Sequence, residues 1–163
     1  MTVSLIIDAD FLSAFLKIER LALVFQFYGV ERLQVTPAVY RELAQTSLLA
    51  PLTNQSGLTL TIPAADQLET LRQDEAFHRL GVGEQESIAL ALTTEDALLL
   101  SNDNQARQLA TALGVTVINI PAFLLACKLA GVLTRHNIQQ IIDDLWQKDY
   151  YKFRADVQAQ LLA

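Results

Sequence analysis

One cysteine, Cys127, is all the thiol this sequence holds, which excludes a disulfide framework and a thiolate zinc site. It lies in the largely apolar stretch Phe123 to Leu133 and reads as a buried small hydrophobe. Histidine is almost as scarce: His78 and His136 are too few and too far apart for a zinc cluster. Glycine (6) and proline (4) are sparse and 52% of the residues are hydrophobic, so the chain is not a disordered one. Positive charge is also short, with 12 basic against 18 acidic residues and a net charge of −6. That balance argues against indiscriminate nucleic-acid binding. The imbalance is local: residues 1–119 carry 7 basic and 14 acidic side chains, and residues 120–163 carry 5 and 4. A convincing membrane span is missing too. The uncharged runs Leu43 to Ala65 and Gln108 to Cys127 are long enough, but polar residues, prolines and Gly114 interrupt them. The apolar start carries Asp8 and Asp10 without a basic lead-in, a poor signal peptide. The expectation is a soluble cytoplasmic protein with no membrane contact.

What is present alternates. Val3 to Ile7 suits a strand buried on both faces. Phe11 to Phe27 reads as one or two helices broken near Glu19-Arg20 and stopped by Gly29. Leu33 to Thr36 is a candidate strand, and Thr36-Pro37 an N-cap with proline opening a helix through Glu42 and Leu43. Residues 51–57 read as a loop, Leu58 to Ile62 as a half-exposed strand, and 64–77 as a surface helix. Gly81-Val82-Gly83 reads as a break before a helix over Glu84 to Thr93. Strand Ala97 to Leu100, helix Asn104 to Leu113 capped by Gly114, and strand Val115 to Ile120 follow. The region after Pro121 is mainly helical. This pattern predicts a three-layer α/β/α sandwich around a mostly parallel sheet. One domain over 1–163 is expected, with 134–163 a C-terminal helical extension.

Four short segments end in carboxylates. In open α/β sheets ligands sit at the carboxyl ends of strands, where Asp8 and Asp103 both fall. Each also reads as a helix cap. Glu42 lies within a helix, where solvent exposure is the default. Glu84 and Glu86 open a helix, where the dipole favours acids. Spaced i, i+2, those two point roughly 200° apart. Gathered acids raise one another's pKa, and a hard divalent cation removes that cost.

In their order, Asp8, Glu42, Glu84/Glu86 and Asp103 resemble the acids of PIN-domain ribonucleases, the fold of VapC-type toxins in bacterial toxin–antitoxin pairs. LIIDADFLSAF resembles the first motif of that family, VTPAVYREL the second, GVGEQESIALAL the third and LLLSNDNQARQLATALGVTV the fourth. The likeness is greatest to a prokaryotic PIN subgroup written around Gly-Glu-x-Glu-Ala-Ile-x-Leu-Ala and covers roughly residues 3–133. The Glu-x-Glu spacing is also similar to that of flap-type 5′ nucleases. Two departures stand out: Asp10 replaces the usual Ser, Thr or Asn, and Glu84 and Glu86 compete for the third acid.

The resemblance implies a metal-dependent endoribonuclease that hydrolyses RNA phosphodiester bonds as the toxin of a toxin–antitoxin pair, with an antitoxin partner and a homodimeric form. It implies a catalytic set of Asp8, Glu42, Glu86 and Asp103, and Mg²⁺ or Mn²⁺ held by Asp8, Glu42, Glu84 or Glu86, and Asp103. Candidate RNA contacts are Asp10, Ser101, Asn102 and Arg107, although Ser101 and Asn102 also suit a plain turn. Arg135, Lys148, Lys152 and Arg154 are candidates for a basic rim, or solvated surface. Trp146, Tyr150, Tyr151 and Phe153 interleave with those cations as a base-stacking surface would, or pack the last helices. Three other readings compete. Asp8-Ala9-Asp10 resembles the opening of haloacid-dehalogenase-type phosphatases, but no lysine lies between residues 18 and 127. A response-regulator receiver lacks its later Asp and Lys-Pro pair here. A non-catalytic PIN module that binds RNA or a protein is the third.

Overall fold

Ser4–Ile7 forms β1, and the way its side chains divide explains the layers. Alternate residues of a strand face opposite sides. Leu5 and Ile7 enter one buried apolar cluster and Ile6 a second. The same division recurs in β4 (Ala97–Leu100), where Leu100 joins the first cluster and Leu99 the second. An unbroken apolar run is what a strand covered on both faces requires.

The computed structural model describes residues 2–163. With β2 (Leu33–Val35), β3 (Leu58–Leu60) and β5 (Thr116–Ile118), β1 and β4 form a five-stranded sheet in the order β3-β2-β1-β4-β5. Every pairing is parallel. The predicted α/β/α sandwich is therefore the fold. The chain runs outward from β1 through β2 to β3, then returns to the other side of β1 for β4 and β5. Strand order reverses between β1 and β4, and such a switch point leaves a crevice at the carboxyl ends.

The first layer contains α1 (Ala9–Lys17), α2 (Leu21–Tyr28), α3 (Pro37–Ala44), α4 (Leu49–Asn54), α9 (Ile120–Leu129), α10 (Arg135–Asp149) and α11 (Ala155–Leu162). The second contains α5 (Ala65–Leu71), α6 (Glu75–His78), α7 (Val82–Thr93) and α8 (Asn104–Ala112). Phe123 of α9 packs against Phe11, Phe15, Phe27 and Tyr28, with ring centroids 5.6–6.0 Å apart. Ile138, Ile141, Leu145, Phe153 and Leu161 join the same cluster, so residues 134–163 bury their apolar side in it. Lys17 Nζ donates to Asp149 Oδ1 at 2.8 Å and ties α1 to the end of α10. Among the described residues no helix is long and apolar enough to cross a membrane.

Four local readings change. The expected loop at 51–57 begins as helix α4, because Pro51 sits in its first turn, where a missing N–H costs nothing. The expected helix over 64–77 is two helices. Asp74 Oδ1 accepts from Phe77 N at 3.0 Å and starts the second afresh. Gly83 is no break. It lies inside α7, where an added Cβ would meet Val39 Cγ2 at 3.2 Å and Glu42 Oε2 at 3.3 Å, so it permits the close crossing with α3. The half-exposed strand read to Ile62 ends at Leu60, and Leu60 and Ile62 are 57% and 77% exposed at that edge of the sheet.

Gly57 joins α4 to β3 at φ +84°, and its carbonyl accepts from Leu33 N at 2.8 Å. A Cβ there would fall 2.8 Å from Phe25 Cε1 and 2.9 Å from the Glu31 carbonyl oxygen. At Gly29, also left-handed, a Cβ would meet nothing within 4 Å. Gly57→Ala is therefore expected to cost about 2–4 kcal/mol, combining left-handed strain with overpacking. Gly29→Ala should cost about 1 kcal/mol from strain alone. Urea denaturation of both variants checks the order; equal losses would refute the clash.

Candidate functional site

β1 and β4 pair in register, with Ile7 opposite Leu100. The ladder extends one residue further, as Asp8 N donates to the Leu100 carbonyl at 2.9 Å. Asp8 and Ser101 thus emerge together at the switch point. Asp8 then caps α1, its Oδ1 accepting from Ala9 N at 2.9 Å. Ser87 Oγ, from α7, donates to the same oxygen at 3.4 Å, and Ser101 Oγ donates to Oδ2 at 3.1 Å. Only 2% of Asp8 is exposed. Burial, helped by the charges of Asp10 and Glu84, lifts its carboxyl from the ordinary 3.8 to about 7, against the opposing bonds from Ala9 and Ser101.

Asp10 lies at the surface, but its carboxylate turns back to accept from Phe11 N at 2.8 Å and Asn102 N at 3.3 Å. Lost hydration raises its pKa, the charge of Asp103 adds to that, and the two N–H donors oppose it. Asp103 caps α8 by accepting from Ala106 N at 2.8 Å. Glu84 caps α7, its Oε2 accepting from Gly81 N at 2.9 Å. Its pKa is raised by desolvation first, then by the charges of Asp103, Asp10 and Glu42. Glu42 is exposed on α3 and lies against Gly83, beside Glu84.

Glu86 goes elsewhere. Its Oε2 accepts from Ala38 N at 2.8 Å and caps the start of α3. Of the two acids held as alternatives, both accept from a backbone amide, Glu84 at the start of its own helix and Glu86 at the start of α3. The i, i+2 divergence on a helix produces that split.

The predicted substrate contacts also separate. Ser101 is fully buried and bonded to Asp8, so it orients that acid instead of meeting a substrate. Asn102 Oδ1 accepts from Ile120 N at 3.2 Å while its own amide holds Asp10. Arg107 Nη1 donates to Asn104 Oδ1 at 3.0 Å and lines a pocket on the flank of the acids, together with Lys152 and Arg154. Arg135 and Lys148, expected in the same rim, do not line it. Sequence reasoning passed over Ser87. The available signal was a hydroxyl in the apolar run of α7, three residues after Glu84 and so on its face.

Carboxylate oxygens are the donors Mg²⁺ and Mn²⁺ prefer, and at the switch point burial first and neighbouring carboxylates second raise the pKa of Asp8, Asp10 and Glu84. Among the described residues, no three His, Cys, Asp or Glu side chains stand close enough to grip an ion as they are. Asp103 and Glu84 each have one oxygen on a cap, leaving the other for ligation. The donor chemistry fits a divalent cation.

A protein-family model described as a PIN domain matches residues 4–162, running through the last helices as well as the motif region. No curated protein matches the chain.

The raised pKa of Asp8 predicts an inverted pH response. The folded state holds this proton more tightly than the unfolded chain, so stability without metal is full near the ordinary carboxylate pKa. It declines as pH rises through about 7. Between pH 5.5 and 8 in EDTA, the wild-type Tm should fall, and Asp8→Asn should flatten the fall and be the more stable protein at pH 8, by a few kcal/mol in order of magnitude. Parallel Tm profiles for the two proteins would show that Asp8 ionises in the fold without penalty.

Proposed function

This chain belongs to the PIN-domain family, whose members are generally nucleases that use divalent metals, and on that premise we propose that it is an Mg²⁺- or Mn²⁺-dependent endoribonuclease. The observation that carries the reading is the gathering of Asp8, Asp10, Glu84, Asp103 and Glu42 where β1 and β4 end, in which burial first and neighbouring carboxylates second raise the pKa of Asp8, Asp10 and Glu84. Acids held this way are what a cation site looks like before its charge is compensated.

In this reading Asp8, Glu42, Glu84 and Asp103 hold the cation. Asp8 is the fixed member, since Ala9 N, Ser87 Oγ and Ser101 Oγ hold its carboxylate from three directions. Asp103 and Glu84 bring ligand oxygens from two helix starts. A bound divalent cation supplies Lewis acidity toward water and phosphate and offsets the charge of the phosphoryl transition state. Cys127 offers no competing nucleophile: it is buried within the first apolar layer, and burial pushes its thiol up to about 12. The likeness to VapC-type toxins supports a toxin role in the cytoplasm, an antitoxin partner and a homodimer. A second reading, a PIN module that binds RNA or a protein without cutting, draws on the acids' failure to close around an ion as they stand.

Mn²⁺-dependent cleavage of a mixed structured RNA pool tests this. Asp8→Asn, Asp103→Asn and Glu84→Gln should each lose about 100-fold or more in rate, the upper end of what disturbing a metal site costs. Ser101→Ala, which only loosens Asp8, should lose about 10-fold. Glu86→Gln keeps an acceptor for Ala38 N and should remain within about 3-fold of wild type. RNA left intact by wild type, with no calorimetric Mn²⁺ binding, would sink the nuclease in favour of the binding module.

A further inference from the structure

After α10 ends at Asp149, Tyr150 takes a left-handed turn at φ 56° and the chain runs without helix to Arg154. Phe153 is buried, while its neighbours Lys152 and Arg154 are exposed. Tyr151 stacks edge-on against Phe153, with centroids 4.8 Å apart and planes at 89°, which fixes its ring. This segment forms one wall of a concave pocket of about 520 Å³. Asn102, Asn104 and Arg107 form another. Three cations therefore converge from two distant parts of an acidic chain. Arg154 pairs with Asp156 at 2.9 Å, both well exposed. Among the described residues, neither Arg107 nor Lys152 makes an ion pair.

The pocket adjoins the acids. Asn102 belongs to both places: its amide donates to Asp10 and its side chain lines the pocket. Arg107 stands one helical turn, about 5.4 Å along the axis, from Asp103. An extended polyanion whose one phosphate meets a cation held by the acids would carry a neighbouring phosphate onto these side chains. Arg and Lys pair with phosphate through charge-assisted hydrogen bonds, the three asparagines Asn102, Asn104 and Asn119 supply neutral donors, and Tyr151 supplies a rigid aromatic wall suited to a base. An acidic peptide would match the cations but would bring no base to stack on Tyr151.

We propose that the pocket between the start of α8 and residues 151–154 is the seat of an internal backbone phosphate of single-stranded RNA, next along the strand from the bond that is cut, with Arg107 and Lys152 as its principal contacts. The proposal takes the identity of the polyanion from the nuclease reading but not its chemistry, so the two can fail separately.

Fluorescence anisotropy of a short labelled single-stranded RNA in EDTA at low salt measures the pocket without cleavage. Lys152→Ala and Arg107→Ala should each weaken binding about 5-fold, the scale of an exposed charge contact. Each should also reduce the slope of log K against log salt by about 0.7. Lys152→Arg should restore binding, and Arg135→Ala, an exposed cation outside the pocket, should behave as wild type. RNA with a 5′-hydroxyl should bind as tightly as RNA with a 5′-phosphate. Unchanged affinity and slope in both alanine variants would overturn the proposal. So would dependence on the 5′-phosphate, or Lys152-dependent binding of a polyglutamate peptide without binding of RNA. If wild type fails to cut RNA yet binds it through Lys152, the nuclease reading falls and the pocket stands. If wild type cuts and neither Lys152→Ala nor Arg107→Ala changes affinity or slope, the pocket falls and the nuclease stands.

Discussion

A carboxyl group buried at the end of the central strand is the constraint to which the rest of this molecule conforms. Asp8 follows a strand with apolar layers on both faces, so its carboxyl has almost no access to water. Such burial is costly for a charge without partners. The partners come from three places: the first amide of α1, Ser101 at the end of the neighbouring strand, and Ser87 on the helix that crosses above. Each fixes the position of an element, because a hydroxyl that satisfies Asp8 has little latitude. α7 cannot slide along the sheet without abandoning Asp8, and β4 cannot shift register without removing Ser101.

The other acids show how one residue serves two purposes. Asp8, Glu84 and Asp103 all accept from amides at helix starts, the ordinary role of such residues. A helix start carries partial positive charge, which eases the accumulation of carboxylates nearby. Three helix starts pointed toward one crevice therefore make tolerable an acid cluster that a loop could not hold. The easing is incomplete: burial first and neighbouring carboxylates second still raise the pKa of Asp8, Asp10 and Glu84. Capping and ligation are not rival explanations here. The caps bring the acids to the crevice, and the residual repulsion gives them a reason to take up a cation.

Much of this was legible before the fold was known. Leu5-Ile6-Ile7 and Leu98-Leu99-Leu100 announced buried strands, and the acids just after them could only fall on the edge where α/β sheets bind ligands. Gly29 and Gly114 marked helix ends by chemistry that needs no tertiary context. What stayed illegible depended on neighbours far along the chain. Helical geometry says that Glu84 and Glu86 diverge, but what each meets depends on where α3 lies: Glu86 accepts from Ala38 at the start of that helix, while Glu84 accepts from Gly81. Gly83 read as a break because its spacing mimics one, whereas its smallness answers to Val39 and Glu42. Pro51 misled in the opposite direction, since proline is as much at home in a first turn as in a loop. The convergence of Arg107 with Lys152 and Arg154 has no local signature at all.

The partnership of Asp8 with Ser101 spans 93 residues of chain, and that of Lys17 with Asp149 spans 132. β1 lies at the middle of the sheet, yet one of its two neighbouring strands, β4, opens only at Ala97. Contacts of such sequence separation form late, because the loop they close must first give up its freedom. During synthesis the first half of this chain can shape β1, β2 and β3, but the crevice has only one bank until β4 arrives. The wall carrying Lys152 follows later still. A nascent chain is thus without its assembled acid cluster until β4 and Asp103 have left the ribosome, and it spends that interval surrounded by RNA.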